Sequence, residues 1–177
     1  MRRRSIGLHF ILAQLPHAAK CRLAQTLGVT QARHPCAEEL SMQVHGACHC
    51  GNVTFIAEID FDKVMVCNCT DCQTLSGAPL RAIAQAPIES LKVSGETKSY
   101  IKTADSGNRR AQVFCPECAT PLYGSEAENP QTVMLRLGCI AERDQFKPTL
   151  QLWLRSAAPW ISELNAIPGV PAPLPPK

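Results

Sequence analysis

The chain has 177 residues, 45% apolar and 19% charged, with a formal net charge of +3. That suits one globular domain with tails and excludes both a large multidomain enzyme and a disordered chain. No run approaches the roughly 18 apolar residues of a membrane span. Six of the 18 basic residues and none of the 15 acidic ones precede Glu38, so the rest of the chain is mildly acidic and gives no electrostatic reason to expect nucleic acid.

Residues 1–41 have no clear period and read as a basic, poorly ordered N-terminal extension. Arg2 to Arg4 lead into an apolar run from Ile6 to Leu15. Gly7, His9 and Gln14 interrupt it, and no clean small-x-small cleavage site follows. A weak signal peptide, an organellar transit peptide and a plain upstream extension are the three readings; the last is favoured because Met42-Gln43-Val44-His45-Gly46 reads like a domain start. At the other end, residues 166–177 carry five prolines from Pro168 onward and read as an extended Pro-rich tail. The domain is therefore expected over residues 42–165.

Within it the signals are those of short strands. Val53, Phe55, Ala57 and Ile59 alternate with Thr54, Ile56 and Glu58, a period near two that Ile56 blurs. Further strands are predicted over Lys63–Val66, Leu80–Ala86, Ser99–Lys102, Arg110–Phe114, Thr132–Leu137 and Thr149–Leu154. Turn signals separate them, among them Ser76-Gly77, Ser94-Gly95, Ser106-Gly107-Asn108 and Glu128-Asn129-Pro130. Helical pattern is confined to Thr70–Leu75 and Pro87–Leu91. Many short strands with few short helices define a mainly β domain.

The chemistry lies in the cysteines, ten in all. Seven fall into three clusters: Cys48-x-Cys50, Cys67-x-Cys69-x-x-Cys72 and Cys115-x-x-Cys118. Close-spaced pairs let two thiolates reach one ion from a tight turn, for which Gly51 and Pro116 are suited. Zinc takes four ligands tetrahedrally, so seven thiolates divide into four and three. Cys48, Cys50, Cys115 and Cys118 join distant parts of the chain, as a structural zinc does. Cys67, Cys69 and Cys72 are a local triplet whose zinc keeps an open position, the catalytic arrangement. Two zincs per chain are thus expected. Disulfides would need an oxidising compartment, and C-x-C pairs close poorly on themselves; iron–sulfur and redox C-x-x-C readings are weaker alternatives. His45 and His49 are sequence candidates for a fourth ligand to the triplet, against second-shell or surface roles. Cys139 is expected on a buried strand, and Cys21 and Cys36 outside the domain.

These residues resemble a known family. Cys48-His49-Cys50-Gly51-Asn52-Val53-Thr54-Phe55, Cys67-Asn68-Cys69-Thr70-Asp71-Cys72 and Ser76-Gly77-Ala78-Pro79 are similar to the glutathione-dependent formaldehyde-activating enzyme family, which is related to centromere protein V. So are Phe114-Cys115-Pro116-Glu117-Cys118, Thr120-Pro121-Leu122-Tyr123, Phe146-Lys147-Pro148 and Pro159-Trp160. The resemblance runs from about Val44 to Trp160. It implies an Mss4-like fold of several coiled antiparallel sheets around zinc sites. It also implies the same division of zinc ligands, and a carbon–sulfur lyase that condenses glutathione with formaldehyde to S-hydroxymethylglutathione. Three departures bear on the substrate: Ala119 stands where the family has glycine, Gly138-Cys139-Ile140-Ala141 where it often has Gly-Thr-Leu-Asp, and Gln151 where it often has histidine.

The expected partners are therefore a small thiol such as glutathione and an aldehyde. Arg81, Arg109 and Arg110 are candidate donors to substrate carboxylates, and Ser76 a candidate hydrogen-bond donor. The alternatives are a thiol-binding carrier with the same open site and a non-catalytic zinc module for a protein partner. Thiolate ligands need reduced cysteine, which favours the cytoplasm.

Overall fold

The structure, a computed structural model, describes residues 41–104 and 106–171. The expectations placed on the extension up to residue 40, on the last six residues of the tail, and on Cys21 and Cys36 lie outside the described residues. Within them the chain is mainly β, as its patterning predicts, with ten strands in two sheets. The first sheet has the order β1–β2–β5, from β1 (Ser41–Ala47), β2 (Thr54–Asp60) and β5 (Lys92–Ser94). The second has the order β10–β3–β4–β9–β8–β7–β6. Its strands are β3 (Val64–Cys67), β4 (Arg81–Pro87), β6 (Lys98–Thr103), β7 (Arg109–Phe114), β8 (Pro121–Glu126), β9 (Thr132–Arg136) and β10 (Leu150–Leu152). Every pairing is antiparallel except β10 with β3. One α-helix, α1 (Thr70–Ser76), is described, and it ends at Gly77 in the left-handed conformation at φ 62°.

The core forms where the two sheets meet. Phe55, Ala57 and Ile59 of β2 are at most 2% exposed, and they join Val64, Ala84, Leu122, Val133 and Leu135 from the larger sheet in one cluster. Burying a large apolar side chain is worth about 1.5–3 kcal/mol. The Phe55 and Ile59 face therefore sets the register of β2, and Ile56 is left on the outer face at 37% exposure.

Several strands carry too little apolar pattern to be read from sequence. β1 holds only Met42 and Val44 as inward apolar side chains, because its third inward position is Gly46. β8 opens on Pro121 and contains Gly124 and Ser125, and β5 is three exposed residues long. The expected helix at Pro87–Leu91 is a single 3-10 turn over Ile88–Ser90. The strand expected over Thr149–Leu154 stops at Leu152, because Trp153 takes the left-handed conformation at φ 57°. Cys139 is not on a strand: it ends the 3-10 turn Leu137–Cys139, half-buried, with its thiol donating to the Pro121 carbonyl at 3.2 Å. At the C-terminal end a 3-10 helix runs over Pro159–Ala166, one residue past the expected domain limit.

Gly46 has a packing role. It lies opposite Phe55 in the β1–β2 register, and the Phe55 ring occupies the space a β-carbon at Gly46 would need. Gly46→Ala is therefore expected to destabilise the fold by roughly 1–3 kcal/mol through overpacking, read from the denaturant midpoint.

Candidate metal centre

Two hairpin turns, one from each sheet, bring the first cysteine group together. Between β1 and β2, the Cys48 amide donates to the Val53 carbonyl at 2.9 Å and the Gly51 amide to the Cys48 carbonyl at 3.1 Å. The turn passes through Gly51 at φ 81°. Between β7 and β8, the Cys115 amide donates to the Thr120 carbonyl at 3.1 Å and the Ala119 amide to the Cys115 carbonyl at 3.0 Å. The sulfurs of Cys48, Cys50, Cys115 and Cys118 all lie within 4.8 Å of one another. A zinc–sulfur distance near 2.3 Å implies sulfurs about 3.8 Å apart at the corners of a tetrahedron. Cys48 and Cys50 are 3.5 Å apart and Cys50 and Cys115 3.8 Å, so the donor set fits that ion. The Val53 amide donates to the Cys48 sulfur at 3.2 Å, and the Thr120 hydroxyl lies 3.1 Å from the Cys118 sulfur. The Thr120 contact leads the causes that hold the Cys118 thiol down at about 5.

Ala119 closes the second turn at φ 56°, a conformation that suits glycine. Ala119→Gly is expected to raise stability by about 0.5–1 kcal/mol, with metal content unchanged, as measured by paired melts and metal analysis.

The second group is local. Cys67 ends β3, Cys69 caps α1 with its sulfur accepting from the Cys72 amide at 3.4 Å, and Cys72 lies in the first turn of α1. Their sulfurs also lie within 4.8 Å of one another. The segment between them is held from the β10 side. Asn68 is fully buried, its amide side chain donates to the Leu152 carbonyl at 2.9 Å, and Gln73 Nε2 donates to both Asn68 and Ser156 carbonyls. The Cys72 thiol holds Cys67 down at about 5 against its burial, while Cys72 itself is pushed up, first by Cys67. The charge of Arg81 lowers both. All eight described cysteines are free thiols, and neither His45 nor His49 belongs to either group. His45 instead pairs through Nδ1 with Glu142 at 2.9 Å.

Cys69 and Cys72 form one wall of a cavity of about 430 Å³. Arg81, Lys102, Arg110, Arg136 and Arg155 also line it, and the one acidic side chain among its described lining residues, Asp71, pairs with Lys102. Of the arginines expected near substrate, Arg81 is buried in this wall and Arg110 lines it while lying 3.7 Å from Glu126. Arg109 does not line it and pairs with Glu128. Ser76 spends its hydroxyl on the Cys72 carbonyl at 2.6 Å, which makes it a helix-end residue. The sequence reading missed Arg136, Gln112 and the wall made by Trp153 with Arg155, whose guanidinium sits 4.6 Å from the indole centroid. Burial holds Arg136 down at about 10, and the neighbouring Arg81 charge adds to the effect. A larger groove of about 700 Å³ runs along β1, β2 and β5 but contains neither cysteine group.

Fold and site together define a mainly β protein with two separate cysteine groups, each able to hold a metal ion, one of them at the wall of a cationic cavity. The chain belongs to the glutathione-dependent formaldehyde-activating enzyme family, whose model matches residues 43–156. Among solved structures it is similar to a Rhodobacter sphaeroides protein at 19% identity, with a TM-score of 0.47, covering 62% of this chain and 99% of that one. No curated protein matches it at a significant level. No helix among the described residues is long and apolar enough to cross a membrane.

Proposed function

We propose that the protein is a zinc-dependent carbon–sulfur lyase acting on thiol–aldehyde adducts, with glutathione and formaldehyde, or a related pair, as the reactants. The observation that carries this is the three-cysteine group, two of whose members, Cys69 and Cys72, line the cavity. Three protein ligands leave a tetrahedral position open, whereas four close the site. The group of Cys48, Cys50, Cys115 and Cys118 is then structural, and Cys67, Cys69 and Cys72 form the catalytic site. Family membership supports the reaction class.

Zinc at the triplet would supply Lewis acidity, favouring the thiolate form of a thiol at the open position. The chain's own residues do the rest. Cys67, Cys69 and Cys72 fix where the reacting sulfur sits. Arg81 lowers the proton affinity of the cysteine sulfurs beside it. Trp153 with Arg155 over its ring makes an amphipathic wall that confines the substrate. In the condensation, the sulfur–carbon bond forms as the carbonyl π bond breaks, and the proton lost by the thiol ends on the new hydroxyl. The lyase direction reverses each change. A reducing compartment such as the cytoplasm would keep the cysteine groups available as thiolate ligands.

Metal content tests the two-site division. The full chain purified under reducing conditions is expected to hold about two zinc ions. Cys69→Ser is expected to hold about one and remain folded, because serine keeps α1 capped while losing the thiolate ligand. Equal loss of both ions in that variant would overturn the division.

The reaction is tested by magnetisation exchange between free formaldehyde adducts and S-hydroxymethylglutathione. The zinc-loaded protein is expected to accelerate exchange above the uncatalysed rate, and Cys69→Ser to return it to that rate. Glutathione binding without acceleration would instead identify a thiol-binding module.

A further inference from the structure

The floor of the triplet cavity holds two buried arginines with no acidic partner. Arg81 is 6% exposed and Arg136 8%, and both line the cavity. They converge on one atom: Gln112 Oε1 accepts from Arg81 Nη1 at 3.2 Å and from Arg136 Nη2 at 2.6 Å. The one other hydrogen bond described for either guanidinium runs from Arg136 Nη1 to the Met134 carbonyl at 3.3 Å. Both Nε atoms are buried without any partner. No ion pair among the described residues includes either arginine.

A buried charge is normally paired, and two like charges side by side raise the need. Gln112 offers a neutral carbonyl where a carboxylate would be expected. The cysteine triplet answers only part of the charge, since three thiolates around a divalent ion carry a net charge of −1 against the two positive charges of the arginines. The other described cations of the cavity do not add to the deficit in the same way: Lys102 pairs with Asp71, and Arg110 lies beside Glu126.

We infer that Arg81 and Arg136, bridged by Gln112, form an anion subsite that takes a carboxylate of the substrate, so that the site selects thiols bearing a carboxylate over neutral thiols. The inference rests on the reading of the triplet as an open thiol site, and it adds a specificity determinant to that site. Guanidinium donors match a carboxylate bidentately, which fixes orientation as well as charge. The subsite borders Cys69 and Cys72, so a carboxylate held there places the thiol of the same molecule at the triplet.

Gln112→Glu tests this on the full zinc-loaded chain. The substitution is isosteric and puts a resident carboxylate between the two guanidiniums. S-methylglutathione, which keeps its carboxylates but has no free thiol, is titrated calorimetrically. The cobalt-substituted protein is titrated in parallel with 2-mercaptoethanol, a neutral thiol, and with glutathione, following the visible absorption. The expected result is that Gln112→Glu weakens S-methylglutathione binding by about tenfold or more. Its response to 2-mercaptoethanol stays within about twofold, and its melting temperature rises because the arginines gain an internal partner. Arg136→Gln is the second variant should the first not fold, and it is expected to show the same selective loss. Equal binding of S-methylglutathione by parent and variant, or no binding by the parent, overturns the inference. An absorption spectrum that neither thiol moves overturns the open-site reading instead, and the S-methylglutathione isotherm still decides the anion subsite.

Discussion

The architecture depends on one convergence: two hairpin turns from different sheets meeting at four cysteine sulfurs. β1 and β2 lie in the small sheet and β7 and β8 in the large one, and their turns place Cys48, Cys50, Cys115 and Cys118 within 4.8 Å. The small sheet is little more than a hairpin, because its third strand is only three residues long and exposed, and an isolated hairpin is marginal by itself. Its apolar face is covered by the large sheet, while the cysteine group ties the turn end. The His49 amide adds a direct link across the junction, donating to the Thr120 hydroxyl at 3.1 Å. A metal ion at this point would contribute folding free energy, because the four ligands come together only in the folded chain.

The second group owes its position to the large sheet and to nothing in the junction. β3 delivers Cys67, and the short loop through buried Asn68 turns into α1 so that Cys69 and Cys72 face the same space. The loop is tied through Asn68 to the end of β10, and α1 through Gln73 to the segment after β10, which also supplies Trp153 and Arg155 to the cavity. Strands β4, β7 and β9 supply Arg81, Gln112 and Arg136 from neighbouring positions of one sheet face. The cavity is thus built from six separate stretches of sequence, 69–75, 81–83, 102–112, 124, 134–136 and 153–156, and its positive character arises only when they assemble.

That explains what was legible in the sequence. The cysteine spacing could be read because ligand pairs must sit close in sequence to share a turn, and the four-and-three division follows from counting. The β2 alternation could be read because one of its faces is buried. Ala119 could be singled out because its turn needs the left-handed conformation, and it adopts φ 56°. Arg136 and Gln112 carried no local signal: each lies on a strand at an ordinary polar position, and only the β7–β8–β9 pairing brings them to 2.6 Å. Strands β1 and β8 were hidden for a related reason. Gly46 and Gly124 sit where the backbone must admit a neighbouring side chain, the Phe55 ring in one case and the Arg136 guanidinium in the other, and glycine erases the apolar pattern.

The two cysteine groups differ in ligand number and in surroundings. The junction group is complete with four sulfurs, and its nearest polar partners are backbone amides and one threonine hydroxyl. Those hydrogen bonds favour the thiolate form. The triplet lacks the fourth sulfur and has the guanidinium of Arg81 close enough to lower the proton affinity of its thiols. A group one ligand short would ordinarily be closed by a nearby histidine or carboxylate, yet none of the described ones joins it. Asp71, the acid adjacent in sequence, is held by Lys102. The surroundings thus leave the incomplete group without a described resident anion, beside two buried cations in the same position. An incoming molecule carrying both a thiol and a carboxylate would satisfy both deficits at once, which is the physical reason to read the cavity as a substrate site rather than as a defect in a structural one.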